Sequence, residues 1–188
     1  ARLAALVFTG LAALASTVLA GLAALASTAG ADTFTNFESH QVHPLALSAD
    51  GARLFACNTP DNRLTVYQVT PAGLVIEAEV PVGLEPVSVR PRNAGEVWVA
   101  NHLSDNISIV DLATMNVRAT LPVGDEPTDV VFAGVAARAF VCVSQEDAVK
   151  IYDPANLALA PGLVPIFGSD PRALAVSPDG AKIYLTVF

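Results

Sequence analysis

From Val42 onward, short apolar runs alternate with polar turns, and the whole pattern recurs about every forty residues. Four prolines mark the recurrence: Pro44, Pro86, Pro127 and Pro171 lie 42, 41 and 44 residues apart. Each follows a histidine or a carboxylate (His43, Glu85, Glu126, Asp170) and opens an alternating run: LALS, VSVRP, TDVVF, RALAVS. Side chains alternate faces along a strand, so these runs predict strands with buried sides. A turn follows, clearest at Asp50-Gly51 and Asp179-Gly180, a dipeptide suited to a type I′ hairpin because Gly accepts positive φ. Second strands are predicted at 54–57, 97–100, 139–142 and 183–186, and third strands at 64–69, 107–112 and 149–152. Fourth strands follow at 74–80, 117–121 and 157–166, and Gly83, Gly124 and Gly168 close the units.

Four short antiparallel strands per forty-residue period is the arithmetic of a β-propeller blade. No window shows the 3.6-residue period that stacked helices need. A β-sandwich would not repeat the same Pro, Gly and Asp-Gly marks in every unit. The predicted fold is therefore all-β, with blades over 42–83, 84–124, 125–168 and a partial one over 169–188. Three and a half blades cannot close a ring, which takes roughly 4–8, so the native chain is expected to continue beyond Phe188. An open stack would also leave the apolar edge at 183–188 unpaired.

The segment VWVANHLSDNISIVDLATMNVRATLPVGDEPTDVVF, residues 97–132, resembles the YVTN family of β-propeller repeats. The family's Tyr-Val-Thr-Asn element is matched by Phe55-Ala56-Cys57-Asn58, Trp98-Val99-Ala100-Asn101, Phe140-Val141-Cys142-Val143 and Tyr184-Leu185-Thr186-Val187. Blade three departs from the pattern: Gly134-Val135-Ala136 replaces the Asp-Gly turn, and Ser144 stands near the usual Asn. The resemblance covers 42–188 and implies a seven-bladed ring in an exported or surface-attached scaffold. Its motifs describe fold rather than activity.

In this strand order, the loops before each first strand and those between second and third strands share a face. That face gathers His43, Glu85, Glu126 and Asp170, and from the second loop set Asn58, Asn101 and His102 with Asp61, Asp105, Ser144 and Asp147. An arc of three carboxylates and an imidazole at the channel mouth suits Ca²⁺, Mg²⁺ or a cationic ligand. The plainer alternative is a solvated turn residue that the following proline restricts to extended geometry. His40 and His43, three apart on an extended segment, point to opposite faces, so the histidines are read as structural or solvated. Cys57 and Cys142 occupy one slot of blades one and three, too far apart for the roughly 7 Å limit of a disulfide. Both are expected to be small packed thiols. Trp98, Phe55, Phe140 and Tyr184 share one repeat position and are expected between blades. Arg53, Arg63, Arg90, Arg92, Arg118 and Arg138 are read as solvated or paired surface residues.

Residues 3–30 carry no charge, and GLAALAST occurs at 10–17 and again at 21–28. With Arg2 before this stretch and Ala29-Gly30-Ala31 at its end, 1–31 reads as a signal peptide or an uncleaved membrane anchor, and 32–41 as a lead-in. Either implies a periplasmic, cell-surface or extracellular location. The formal charge is −8, with no Lys/Arg cluster, which argues against nucleic-acid partners and leaves membrane contact to the leader. No Cys-x-x-Cys-His haem site, G-x-S-x-G elbow or Gly-rich phosphate loop occurs. The favoured function is a binding scaffold for a protein or polysaccharide, working through the channel-mouth face. The alternative, carried by the resemblance alone, is the propeller of a lactonase-like enzyme or of a haem d1 or cytochrome-linked redox protein. His43 would then serve as a base or haem ligand.

Overall fold

A computed structural model of the chain describes residues 40–187; the predicted leader, the lead-in as far as residue 39, and Phe188 lie outside it. Every regular element among the described residues is a strand. The strands β1 (Leu45–Leu47), β2 (Arg53–Asn58), β3 (Arg63–Thr70) and β4 (Gly73–Pro81) pair in that order. The second sheet repeats the order with β5 (Pro86–Asn93), β6 (Glu96–Asn101), β7 (Asn106–Asp111) and β8 (Asn116–Pro122). The third does so with β9 (Pro127–Ala133), β10 (Arg138–Val143), β11 (Ala148–Tyr152) and β12 (Gly162–Pro165). A two-stranded sheet, β13 (Leu174–Val176) with β14 (Ile183–Leu185), begins a fourth unit. All pairings within the sheets are antiparallel. The first strands β1, β5, β9 and β13 lie next to one another and form the inner wall.

The period-2 alternation explains how one blade serves two interfaces. All six residues of β6 are buried, and their side chains divide between neighbours. Val97 and Val99 join Phe55, Leu64 and Val66 of blade one. Trp98 and Ala100 join Val130, Ala139 and Val141 of blade three. Each fully buried side chain of this size contributes roughly 1.5–3 kcal/mol from removal of apolar area. The Trp98 ring meets Phe132 edge-on at 5.3 Å and 88°, and its indole N–H donates to Glu96 Oε1 at 2.7 Å.

Four expectations change. The Asp50-Gly51 and Asp179-Gly180 turns are not type I′, because only the glycines take positive φ, 70° and 69°. Asp50 Oδ1 accepts from Ala52 N–H and the Ser48 hydroxyl, which keeps Asp50 out of the left-handed region and moves Gly51 to the exit of the turn. The fourth strand of blade three starts at Gly162, not near 157. There Asn156 follows one turn, closed on the Asp153 carbonyl, and caps another by accepting from Ala158 N–H at 3.3 Å. Of the aromatic series, Phe55 and Trp98 are fully buried and Phe140 is half-buried, but Tyr184 is 58% exposed. No further sheet covers β14 among the described residues. Cys57 is half-buried rather than enclosed, whereas Cys142 is buried. Burial pushes both thiols up to about 12.

Candidate functional site

The two loop sets expected on one face do meet there. His102 N–H donates to the Glu85 carbonyl at 2.9 Å, and Ser144 N–H to the Glu126 carbonyl at 3.0 Å. A second set of hydrogen bonds crosses each seam between blades. Asn62 Oδ1 accepts from Glu85 N–H at 2.9 Å, Asp105 Oδ1 from Glu126 N–H at 3.2 Å, and Asp147 Oδ1 from Asp170 N–H at 3.1 Å. All six residues of these latches have φ between 47° and 58°. The extended geometry expected before proline is therefore not what forms. Proline disfavours the right-handed region for its predecessor, and the latch selects the left-handed alternative, which costs about 1–2 kcal/mol for a residue with a Cβ. Asn62, Asp105 and Asp147 tolerate that conformation better than most residues.

The predicted site residues separate into pairs. The imidazole of His102 is buried, with Nδ1 3.4 Å from the Pro127 carbonyl and Nε2 3.6 Å from Glu126 Oε2. Glu126 Oε2 also accepts from Gln145 at 3.0 Å. Asp170 is exposed and lies 3.4 Å from the Ser144 hydroxyl. Asn58 is tied back to Asp61 in its own loop at 2.9 Å. Asn101 is buried, donating to Asn106 Oδ1 and Ser108 Oγ at 2.8 and 2.9 Å, while its own Oδ1 has no partner. Glu85 is half-buried at the seam between blades one and two. His43 differs from its three counterparts, since it is absent from the positive-φ set and bridges in parallel to Ser88 on β5. The single arc of four is thus broken. Among the described residues, no three His, Cys, Asp or Glu side chains converge closely enough for a metal ion.

His43 turns instead to a carboxylate that sequence reasoning passed over. Asp129, on β9, has a fully buried side chain. Its Oδ1 accepts from the Ser88 hydroxyl at 2.6 Å and from Val130 N–H at 2.9 Å. Its Oδ2 accepts from His43 Nδ1 and from Leu174 N–H, both at 2.8 Å, and lies 3.6 Å from a terminal nitrogen of Arg90. Donors from four successive units thus converge on one carboxylate, an inner-wall hub. Burial by itself would raise the Asp129 carboxyl, but the bonds from His43, Ser88 and Leu174 N–H, with the Arg90 charge, hold it below its usual range. Sequence carried a signal: Ser88 and Asp129 both stand two residues after their proline, in runs otherwise apolar at that depth. Arg90 is paired and 27% exposed, and its Nε is buried without a partner.

The order of this constellation limits its chemistry. A serine nucleophile needs a histidine to take its proton, and here Ser88 donates to the aspartate instead. The carboxylate places the His43 proton on Nδ1, which leaves Nε2 as the acceptor, and no protein partner meets it among the described residues. His43, Arg90 and Arg92 line an open cleft of about 470 Å³ along the inner wall, together with Phe132, Leu174 and Val176.

No family model matches the sequence, and no curated protein matches it. Among solved structures, hydrazine synthase of Kuenenia stuttgartiensis aligns with a TM-score of 0.69 at 22% identity, over 82% of this chain and 45% of that one. An assigned 6-phosphogluconolactonase of Bacteroides uniformis aligns at 0.64 and 22% identity, over 75% and 48%. Virginiamycin B lyase of Staphylococcus aureus aligns at 0.60 and 15% identity, over 75% and 47%. The chain spans just under half the length of these proteins, and at such identities the likeness carries fold alone. The described residues form part of a β-propeller: three four-stranded blades and the inner hairpin of a fourth.

Proposed function

We propose that this chain belongs to an exported propeller-repeat protein of the YVTN type, a binding module that takes its ligand on the channel side. The supporting observation is the Asp129 hub, which draws donors from four units onto one buried carboxylate and so fixes His43 and Arg90 beside a cleft. Groups already fixed lose little entropy when a ligand arrives. Glu85, Glu126 and Asp170 extend the ligand face above the cleft, toward a protein or polysaccharide. Export rests on the apolar leader. The test uses the full chain with its leader: cell fractionation for location, then thermal-shift screening against glycans and small metabolites. Cytoplasmic retention removes export from the reading. A panel in which no ligand raises the melting temperature removes binding.

A second reading, an enzyme, is favoured by one observation. His43 has Nδ1 on a buried carboxylate and an unpartnered Nε2, the arrangement of a general base. The three structural neighbours bear enzyme names, a synthase, a lactonase and a lyase. Incubation with 6-phosphogluconolactone, followed by NMR, tests hydrolysis; a rate that His43→Gln leaves unchanged refutes this role for His43.

A further inference from the structure

The charges around the cleft select a class of ligand. The chain carries a formal charge of −8, yet every ionisable side chain lining this cleft is basic: His43, Arg90 and Arg92. Asp129 lies behind the wall with no exposed surface. Its lone pairs are already engaged by the Ser88 hydroxyl, the imidazole and two backbone N–H groups, which leaves Arg90 a single long approach at 3.6 Å. A guanidinium offers five donors in a planar fork. Arg90 makes no shorter bond among the described residues, and one of its nitrogens is buried without any partner. A buried donor lacking a partner calls for a group that the protein does not supply. Arg92 is anchored to Glu96 Oε1 at 3.1 Å, whereas Arg90 has no bond that short to hold its fork away from a ligand. Beside that fork, Phe132, Ala175 and Val176, each at least partly exposed, offer an apolar surface.

We propose that the cleft binds a small organic oxyanion, its carboxylate or phosphate head on the Arg90 fork and its apolar body against Phe132, Ala175 and Val176. This deepens the binding-module reading and rests on it. The Asp129 hub sets the position of the head: His43 and Arg90 both approach the same carboxylate oxygen, so a ligand oxygen on Arg90 also comes near the imidazole edge. A planar head matches the guanidinium in two parallel bonds, which favours a carboxylate over a halide or a neutral amide. The volume of about 470 Å³ suits a group of ring size, whether free or at the end of a larger ligand.

Calorimetric titration of the full chain with benzoate, phenyl phosphate, benzamide and benzylamine tests this. Benzoate or phenyl phosphate is expected to bind, more weakly at high than at low salt, and the stronger of the two identifies the head group. Benzamide and benzylamine are expected to bind at least tenfold more weakly. Arg90→Gln should lower oxyanion affinity by about 10- to 100-fold, the range for a lost charged pair of hydrogen bonds. Arg63→Gln, which removes an arginine paired with Asn58 and Pro81 at strand ends that do not line the cleft, should leave affinity unchanged. If Arg90→Gln fails to fold by circular dichroism, Arg90→Lys takes its place; it keeps the charge without the fork, and it too should lose affinity. Benzamide binding as well as benzoate, or full affinity in a folded Arg90 variant, overturns the proposal. So does a folded wild-type protein that binds neither anion at millimolar concentration. If neither anion binds while a neutral or cationic ligand does, the oxyanion assignment falls and the binding-module reading stands.

Discussion

Replacing Asp129 by Asn tests whether one carboxylate holds the inner wall together. Asparagine keeps the size of the side chain but exchanges an accepting oxygen for an NH₂. Turned one way, the NH₂ faces Leu174 N–H and His43 Nδ1, which both donate to Oδ2 in the native chain. Turned the other way, it faces Val130 N–H and the Ser88 hydroxyl, and that hydroxyl can rotate to accept. The second orientation is cheaper, leaving one buried N–H unpaired at about 1–3 kcal/mol. The variant also removes the negative charge 3.6 Å from Arg90. Breaking a fully buried pair costs about 3–5 kcal/mol, but Arg90 is 27% exposed, so solvent screens much of that. The expected loss is about 2–4 kcal/mol, a large fraction of a typical domain stability of about 5–15 kcal/mol.

Urea denaturation of the full chain measures the total, and hydrogen exchange locates it. In Asp129→Ala the Leu174 amide, which joins the fourth unit to the hub, loses its acceptor, so its protection should fall more than that of residues inside blade two. Asp129→Ala, which leaves every donor unpaired, should be worse than Asp129→Asn. A loss under about 0.5 kcal/mol, with Leu174 protection unchanged, would show that the blades hold together without the carboxylate.

The same group predicts a pH response. Its folded value lies below the ordinary 3.8, so its stabilisation is complete above that value and fades as pH falls through the lower folded one. The acid limb of the wild-type stability profile should therefore be steeper than that of Asp129→Asn. Trp98→Ala empties the seam between blades two and three and should cost about 3–5 kcal/mol by denaturant titration. Gly83→Ala sets a Cβ 2.3 Å from Ser104 Oγ and 2.7 Å from Asn101 Cγ; a loss of about 1–3 kcal/mol is expected, partly recovered by adding Ser104→Ala. Cys57 and Cys142, both free and raised to about 12, should resist alkylation at pH 8 while folded. Unfolding without reductant should expose two titratable thiols.

The scaffold was legible because each blade writes the same constraints again. The β6 alternation, read from VWVAN, places Val97 and Val99 on one neighbour and Trp98 and Ala100 on the other. Strand ends were less legible, since local side-chain bonds decide them: Asn156 delays β12, and Asp50 with Ser48 turns the hairpin differently from its dipeptide signal. The loop face was located correctly, but its internal pairing was not. Whether Glu126 stands beside His102 or beside Glu85 depends on the sideways spacing of blades, which strand periodicity does not encode. The Asp129 hub depends on the same spacing, because its donors lie between 41 and 86 residues away for Ser88, Leu174 and His43.

Recurrence itself separates scaffold from chemistry in this chain. Glu85, Glu126 and Asp170 recur, and each carries the same left-handed backbone and receives the same latch from the blade before it. A role repeated at every seam belongs to the assembly of blades, whatever else a carboxylate there does. The hub positions do not recur. Two residues after their prolines stand Ala46, Ser88, Asp129 and Ala173, so the inner wall is apolar in two units, hydroxylic in one and charged in one. Arg90 has Ser48, Val131 and Ala175 as its counterparts. Burying a carboxylate costs several kcal/mol unless its partners are supplied, and here blades one, two and four each supply one. If the hub served packing alone, alanine at position 129, as at 46 and 173, would be the economical choice once its donors were removed. A triple variant, Asp129→Ala with Ser88→Ala and His43→Leu, should recover part of the stability that Asp129→Ala alone loses, since both side-chain partners leave together, while the Val130 and Leu174 N–H groups stay without their acceptor at about 1–3 kcal/mol each; it should lose the oxyanion. Retention of oxyanion binding by the folded triple variant would detach ligand recognition from the hub.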